Sequence, residues 1–360
     1  MNFLRKINFR ILIPAFFLTC LGILSIYSSS IQRDNFLSFK KQLGFFAVSL
    51  IFFILVQFFD LRFLKTNSKL VFSFYSLSLF FLLGLLFFAP EIRGVKGWYK
   101  LGPFSLDPVP LSAIILIIIL AKYFSSRHVE LKRFSPILQS GVYAFLPVAL
   151  VLLQPDLGSA LTLIAIWIGI LVFSGIKLKH FFIILLIFAL LFCFSWKFWL
   201  KNYQKHRILS FFNPEIDQQG VSWSVIQSKI AIGSGGFLGK GLGKGTQTQY
   251  GFLSEPKTDF IFAAIAEELG FLGVFLVFGF LFWLLYELVN IAFRAQNNFL
   301  RLFASGFAFL ILSQSFINIG MCLGLFPVVG IPLPFLSYGG GHVFAFYFGL
   351  GILMSLDKNS

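Results

Sequence analysis

Apolar stretches of about 20 residues recur along the whole chain, and they constrain its fold more than any other feature. A helix of that length crosses roughly 30 Å of hydrocarbon while bonding all of its own backbone groups. Only 12% of the 360 residues are charged, against about 25% in soluble domains. The pattern predicts an all-α integral membrane protein, a polytopic bundle with ten spans at residues 11–30, 42–60, 69–89, 109–125, 139–154, 157–176, 180–200, 259–292, 300–326 and 336–356.

The basic residues predict how this bundle lies in the membrane. With the N-terminus inside, the cytoplasmic segments hold fifteen lysines and arginines and the short outer loops hold six. Because positively charged short loops stay inside, we expect both termini in the cytoplasm and residues 201–258 as one long polar loop outside. The net charge is +15, and the basic residues lie between the apolar runs. This arrangement favours membrane lipid over nucleic acid as a partner.

The long loop contains a glycine-rich segment, Gly233–Gly245, which reads GSGGFLGKGLGKG. It is not a Walker A loop, because Lys240 and Lys244 are each followed by glycine instead of serine or threonine. One interpretation is a turn-rich loop in which glycine supplies positive φ. The other is a surface for a pyrophosphate headgroup, built from glycine N–H groups with Lys229, Lys240 and Lys244. The spacing leaves both open.

Asp259 stands where the loop enters the eighth span. An aspartate there either caps the helix or takes a proton from a substrate hydroxyl. The eighth span is long and carries Glu267, Glu268 and Gly270, which predicts either a bend or partial exposure to a cavity. Glu267 lies within about 80° of Asp259 on a helical projection, so it lines the same cavity or bonds a neighbouring helix. Ser337–Gly341 is a tight turn or a substrate-contacting loop, and the four scattered histidines do not suggest a metal site.

Several stretches together resemble the SEDS family of cell-wall polymerases. They are Leu153–Thr162 (LQPDLGSALT), Arg207–Pro214 (RILSFFNP), Ile226–Gly241, Gly245–Gln249 (GTQTQ), Phe252–Gly270, Gln314, Asn318–Met321 (NIGM) and Gly324–Gly340. The resemblance spans nearly the whole chain, with the motifs in the family's order. Gly330–Pro334 (GIPLP) is more similar to the elongation members than to the division members.

The resemblance implies a peptidoglycan glycosyltransferase, a single polytopic domain over residues 1–360 in the bacterial cytoplasmic membrane. It would polymerise lipid II at the outer face, for elongation and rod shape. The family's essential aspartate falls on Asp259. We expect the departing pyrophosphate to meet loop cations or a divalent cation, Mg²⁺ or Mn²⁺, without dedicated metal-ligating residues. The residues expected to bind substrate are Arg207, Lys229, Lys240, Gln227, Glu267, Gln314, Ser337, Tyr338 and Trp98. Expected partners are a class B penicillin-binding protein and the rod-elongation complex.

The chain departs from the family pattern at three places. Gly97 precedes Trp98 where a basic residue is usual. Pro110 and Ala113 stand where the family has a glutamate and a lysine, and Gly341 stands where it has serine. Three other functions stay open. A polar cavity among ten helices would also suit a transporter of lipid-linked precursors, and a division-type homologue is the second alternative. The third is a scaffold that recruits a transpeptidase without catalysis, which only the missing glutamate and lysine favour.

Overall fold

The protein is a bundle of membrane-length helices, seen in a computed structural model that describes residues 8–32, 34–92, 94–102, 104–126, 134–198, 202–213 and 220–358. Within these ranges nine helices are long and apolar enough to span a membrane, and a shorter apolar helix makes a tenth. They are α1 (Phe9–Ile31), α2 (Leu37–Val56), α4 (Ser68–Phe88), α5 (Val109–Ser126), α6 (Ser135–Leu153), the shorter α7 (Leu157–Phe173), α8 (Leu178–Phe198), α12 (Ile261–Arg294), α13 (Asn298–Cys322) and α14 (Gly340–Lys358). The predicted helical membrane fold is confirmed.

Helix α13 occupies the centre of the bundle and packs against α5, α7, α12 and α14. Small residues allow the close approach, as expected where helices associate in lipid. At Gly306 an added Cβ would lie 2.9 Å from the side chain of Ile170 on α7 and 3.1 Å from that of Ile117 on α5. Helix α8 exposes most of its apolar side chains, which suits a helix surrounded by lipid.

Residues 201–258, which the sequence analysis treats as one polar loop, contain three helices among their described residues. These are α9 (Asn202–Phe212), α10 (Val221–Ser234) and α11 (Thr246–Gln249), and α10 packs against α12 and α13. Lys201 and Pro214 lie outside the described residues. Two short elements lie elsewhere in the chain. The hairpin of β1 (Tyr99–Leu101) and β2 (Phe104–Leu106) lies between α4 and α5, and the short helix α3 (Phe63–Thr66) precedes α4.

The predicted bend in the eighth span is a break in α12 at Gly270, whose φ is 64° and ψ −157°. The glycine-rich segment binds both broken ends. The N–H groups of Lys240 and Gly241 donate to the carbonyls of Glu267 and Glu268, each at 3.0 Å. Beyond the break, the N–H groups of Phe271 and Leu272 donate to the carbonyls of Gly236 (2.9 Å) and Phe237 (3.2 Å).

A helix can be interrupted near a membrane when protein satisfies the freed backbone groups, and the glycine-rich segment does so here. Its predicted positive φ angles are confirmed at Gly236, Gly239, Gly241 and Gly243. The glycine-rich segment thus packs on α12, and its backbone groups bond those that the break in the helix leaves free.

Candidate active site

Asp259 lies at the end of the bundle where α12 begins. The N-cap of α12 is Phe260, which makes no side-chain capping bond, so Asp259 stands one residue before the N-cap position. Its Oδ2 atom faces Gly330, where an added Cβ would lie 3.7 Å away. Gly330 also has a φ of 73°, a conformation that glycine adopts without cost. The Gly330 loop therefore forms a side of the Asp259 site.

Two of the predicted basic residues line one cavity near this loop. Arg207 on α9 and Lys229 on α10 border a space of about 70 Å³, together with Ser210, Ser222, Gly324 and Phe326–Val328. The same segment continues to Gly330, which links the basic cavity to the Asp259 carboxylate. The structure thus brings Arg207 and Lys229 together and places both beside the chain segment that faces Asp259.

Asp156, the residue before α7, extends this polar region. Its carboxylate accepts hydrogen bonds from the N–H and the hydroxyl of Ser159, at 3.0 and 2.6 Å. Burial raises the pKa of Asp156, while the Ser159 bonds and the charge of Arg207 oppose that rise. At Gly158 an added Cβ would meet the carbonyl of Val329 at 2.5 Å, so the start of α7 packs directly on the Gly330 loop.

Lys240 and Glu267, both predicted to bind substrate, are instead paired with each other. Lys240 Nζ lies 2.8 Å from Glu267 Oε1, and the glutamate is completely buried. The same carboxylate accepts hydrogen bonds from the N–H groups of Gln247 and Thr248 and from the Thr248 hydroxyl. Glu267 therefore fixes α11 against α12. This is the bond to a neighbouring helix that the sequence leaves as one alternative for Glu267. Asp259 precedes α12, so a helical projection does not describe its position relative to Glu267.

The other predicted binding residues are spread over the fold. Gln314 is buried with its Oε1 atom 3.1 Å from His342 Nε2, between α13 and α14. Gln227 is buried on α10, and Trp98 lies half-buried before β1. Tyr338 is half-buried, and burial raises the pKa of its phenol. None of these four side chains is among those lining the basic cavity.

Ser337, another residue predicted to bind substrate, is fully buried and contacts the protein. Its hydroxyl donates to the carbonyl of Thr258 at 2.8 Å and accepts from the N–H of Leu333 at 2.8 Å. A turn at residues 334–336 precedes Ser337, and Gly340 begins α14. Whether Ser337–Gly341 also contacts substrate stays a prediction, and Ser337 bonds the segment that leads to Asp259.

Asp107 lies three residues before Pro110, one departure from the family pattern, and contacts another, Gly341. An added Cβ at Gly341 would lie 2.9 Å from the carbonyl oxygen of Asp107. Burial raises the pKa of Asp107 to about 7, assisted by the charge of Asp156 and opposed by a hydrogen bond from the N–H of Val109. The missing serine at 341 and the altered sequence at 107–110 are therefore neighbours in space.

Among the described residues, no three or more His, Cys, Asp or Glu side chains come together as metal ligands. A divalent cation that needed an all-protein cage has no such cage in that part of the chain. Among the described residues that line the cavity, Arg207 and Lys229 carry positive charge.

Comparisons with known proteins identify the family. Residues 9–360 match the FtsW, RodA and SpoVE family, described as cell cycle proteins. The chain belongs to this family. It is 33% identical to a probable peptidoglycan glycosyltransferase FtsW of Trichlorobacter lovleyi, over 98% of this chain and 94% of the relative. It is 37% identical to the peptidoglycan glycosyltransferase MrdB of Escherichia coli K12, over 74% of this chain and 72% of the relative.

Solved structures share the whole fold. A chain from a peptidoglycan synthase complex that coordinates polymerization and crosslinking is 31% identical, with a TM-score of 0.80, covering 96% of this chain and 97% of that one. The rod shape determining protein RodA of Thermus thermophilus is 27% identical, with a TM-score of 0.72, covering 97% and 96%. The resemblance given by the sequence motifs is confirmed, while the roles of the individual site residues stay predictions.

Proposed function

We propose that this protein is a peptidoglycan glycosyltransferase that polymerises lipid II, with Asp259 as the general base. The relatives named peptidoglycan glycosyltransferase support the reaction class. One observation supports the assignment of Asp259. Its carboxylate faces Gly330, and the chain just before Gly330 borders the cavity that Arg207 and Lys229 line. An acid–base group next to a site for a departing anion is what transfer from a pyrophosphate-linked sugar requires.

The proposed step is an inverting displacement. The 4-hydroxyl oxygen of the acceptor sugar bonds to the anomeric carbon of the donor as its proton passes to Asp259. The bond from that carbon to the lipid pyrophosphate breaks, and its electron pair leaves with the pyrophosphate. Arg207 and Lys229 offset the negative charge that develops there. Proton removal in the transition state contributes about 10²–10⁴-fold to such reactions.

The proposal places the Asp259 end of the bundle at the outer face of the bacterial cytoplasmic membrane, with both termini in the cytoplasm. Basic groups at the opposite end support this orientation. Lys122 Nζ donates to the carbonyl of Lys65 at 2.6 Å. Arg294, at the end of α12, lies 3.4 Å from Asp357 on α14.

The proposed partner is a class B penicillin-binding protein, in the setting of rod elongation. Support comes from the similarity to a chain of a synthase complex that couples polymerization to crosslinking, and from the GIPLP sequence at Gly330–Pro334. Complementation of an elongation-defective strain and of a division-defective strain tests the cellular role. Rescue of division alone would contradict the elongation proposal.

The decisive experiment is polymerisation of lipid II by purified protein in detergent, comparing native protein with Asp259→Ala. We expect glycan from the native protein and a loss of at least 100-fold in the variant. Asp60→Asn is the matched control, because Asp60 pairs with Arg62 after α2, away from the Asp259 site, and is exposed; its rate should stay unchanged. Full activity of Asp259→Ala would refute the assignment.

Two further arms complete this experiment. Addition of EDTA and then of Mg²⁺ or Mn²⁺ measures whether a divalent cation assists the departing pyrophosphate. Proteoliposomes with labelled lipid II separate a transporter from a polymerase, since a transporter moves the lipid and makes no glycan. Absence of glycan with the transpeptidase partner present would favour the scaffold.

A further inference from the structure

The three residues that lead into α12 are held by their main-chain carbonyl groups. The carbonyl of Lys257 accepts the N–H of Tyr338 at 2.8 Å. The carbonyl of Thr258 accepts the Ser337 hydroxyl at 2.8 Å, and that of Asp259 accepts Asn318 Nδ2 at 2.9 Å. All three donors come from distant parts of the chain. They add tertiary contacts to a local turn in which the Glu255 carbonyl accepts the N–H groups of Thr258 and Phe260, at 3.2 and 3.3 Å.

Asn318 differs from the other two donors because its side chain bonds two carbonyls at once. It is completely buried on α13. Its Nδ2 group donates one hydrogen to the Asp259 carbonyl and another to the Ile331 carbonyl, at 2.9 and 2.8 Å. With the amide reversed, its oxygen would face both carbonyls and no bond would form, so the network fixes its orientation. One side chain thereby joins the backbone of Asp259 to the loop that carries Gly330.

We propose that Asn318 and Ser337 are positioning residues for Asp259. With the Tyr338 N–H they form what we term the carbonyl clamp. The clamp sets the distance between the Asp259 carboxylate and the Gly330 loop, beside which the donor pyrophosphate would lie. This inference rests on the proposed function, because a rate can fall through Asp259 only if Asp259 takes part in the reaction.

Buried donors such as these could instead serve stability alone, so the test must separate the two roles. Misplacement of a reacting group by about 1 Å can cost about 100-fold in rate without weakening substrate binding. A positioning role therefore predicts a lower kcat at an almost unchanged KM. A purely structural role predicts less folded protein, with normal kcat for the molecules that do fold.

The experiment measures kcat and KM for lipid II polymerisation, with melting temperatures, for native protein, Asn318→Leu and Ser337→Ala. Leucine matches the size of asparagine but donates no hydrogen bond. We expect each variant to lose 10- to 100-fold in kcat, with KM within about twofold. Thr19→Val is the control: it removes another buried hydrogen bond, 3.0 Å from Thr19 Oγ1 to Tyr347 OH, and its kcat should stay within twofold.

The outcomes separate this inference from the proposed function. If native protein makes no glycan, or Asp259→Ala remains active, the proposed function fails. If Asp259→Ala is inactive while folded Asn318→Leu and Ser337→Ala keep native kcat, only the carbonyl clamp is refuted. If Asn318→Leu does not fold, Ser337→Ala decides alone, since it breaks the clamp at a different carbonyl.

Discussion

At the scale of single residues, Asp107 and Gly341 show that two segments which depart from the family pattern are in contact. The Cβ of a serine at 341 would stand 2.9 Å from the Asp107 carbonyl oxygen, closer than such atoms approach in folded proteins. Glycine removes that Cβ and lets the start of α14 lie against Asp107. The sequence shows each change, but only the fold shows that they touch.

This contact predicts the effect of restoring the usual serine. Gly341→Ser should destabilise the protein by about 1–3 kcal/mol, the range for added atoms in a packed site. Gly44→Ser is the control, because an added Cβ at Gly44 on α2 meets nothing within 4 Å. Melting temperatures in one detergent measure both. Equal behaviour of the two variants would show that the backbone at 341 shifts freely.

Asp107 also predicts a pH dependence. Its pKa in the folded protein is raised to about 7, above the ordinary value near 4, so the folded state binds this proton more tightly. The contribution of Asp107 to the stability of the folded protein is therefore present at low pH and is lost as pH rises from about 4 to 7. Asp107→Asn should raise the melting temperature at pH 8 and change it little at pH 4.

Asp60→Asn is the control for these melting temperatures, because the pKa of Asp60 is shifted in the opposite direction. The hydrogen bonds from Arg62 lower the pKa of Asp60, so Asp60→Asn removes stability that is present above the ordinary pKa. It should not raise the melting temperature at pH 8. A gain for Asp107→Asn that is independent of pH would mean that packing, and not titration, is responsible.

At the scale of elements, the break in α12 makes Gly270 a position that no other residue can fill without strain. Its φ is 64°, and an added Cβ would lie 2.2 Å from the backbone nitrogen of Gly239. Gly270→Ala should cost about 1–3 kcal/mol from backbone strain alone, and it should displace the glycine-rich segment from the broken ends.

A second glycine of the same helix provides the matched comparison. An added Cβ at Gly279 meets nothing within 4 Å, so Gly279→Ala should stabilise the helix by about 0.5–1 kcal/mol. Thermal unfolding and polymerisation activity of both variants test the element. If Gly270→Ala behaved like Gly279→Ala, the break would be dispensable.

At the scale of the whole molecule, the spans could be predicted because the length of an apolar run is a local property of the chain. The bend in α12 was predictable for the same reason, from Glu267, Glu268 and Gly270. Its stabilisation by the glycine-rich segment was not, because the bonds join carbonyls and N–H groups about 27–35 residues apart. Backbone partners leave no signature in side-chain sequence.

The candidate site divides in the same way. The family motifs point to Asp259, Arg207 and Lys229, and the structure brings the two cations together. The contact of Asn318 with Asp259 could not be predicted, because the two residues lie 59 positions apart in the sequence. Lys240 and Glu267 look like ligand-binding charges in sequence, and only the fold shows that they neutralise each other.

The carbonyl clamp bonds main-chain atoms, so its hydrogen bonds do not depend on which side chain stands at position 259. The proton-accepting group can therefore be removed there without removing the bonds that hold the backbone. An Asp259→Asn protein should keep the shape of the site while lacking the base, and so retain donor and acceptor without joining them. Such a substrate trap would allow the bound sugars to be seen in place.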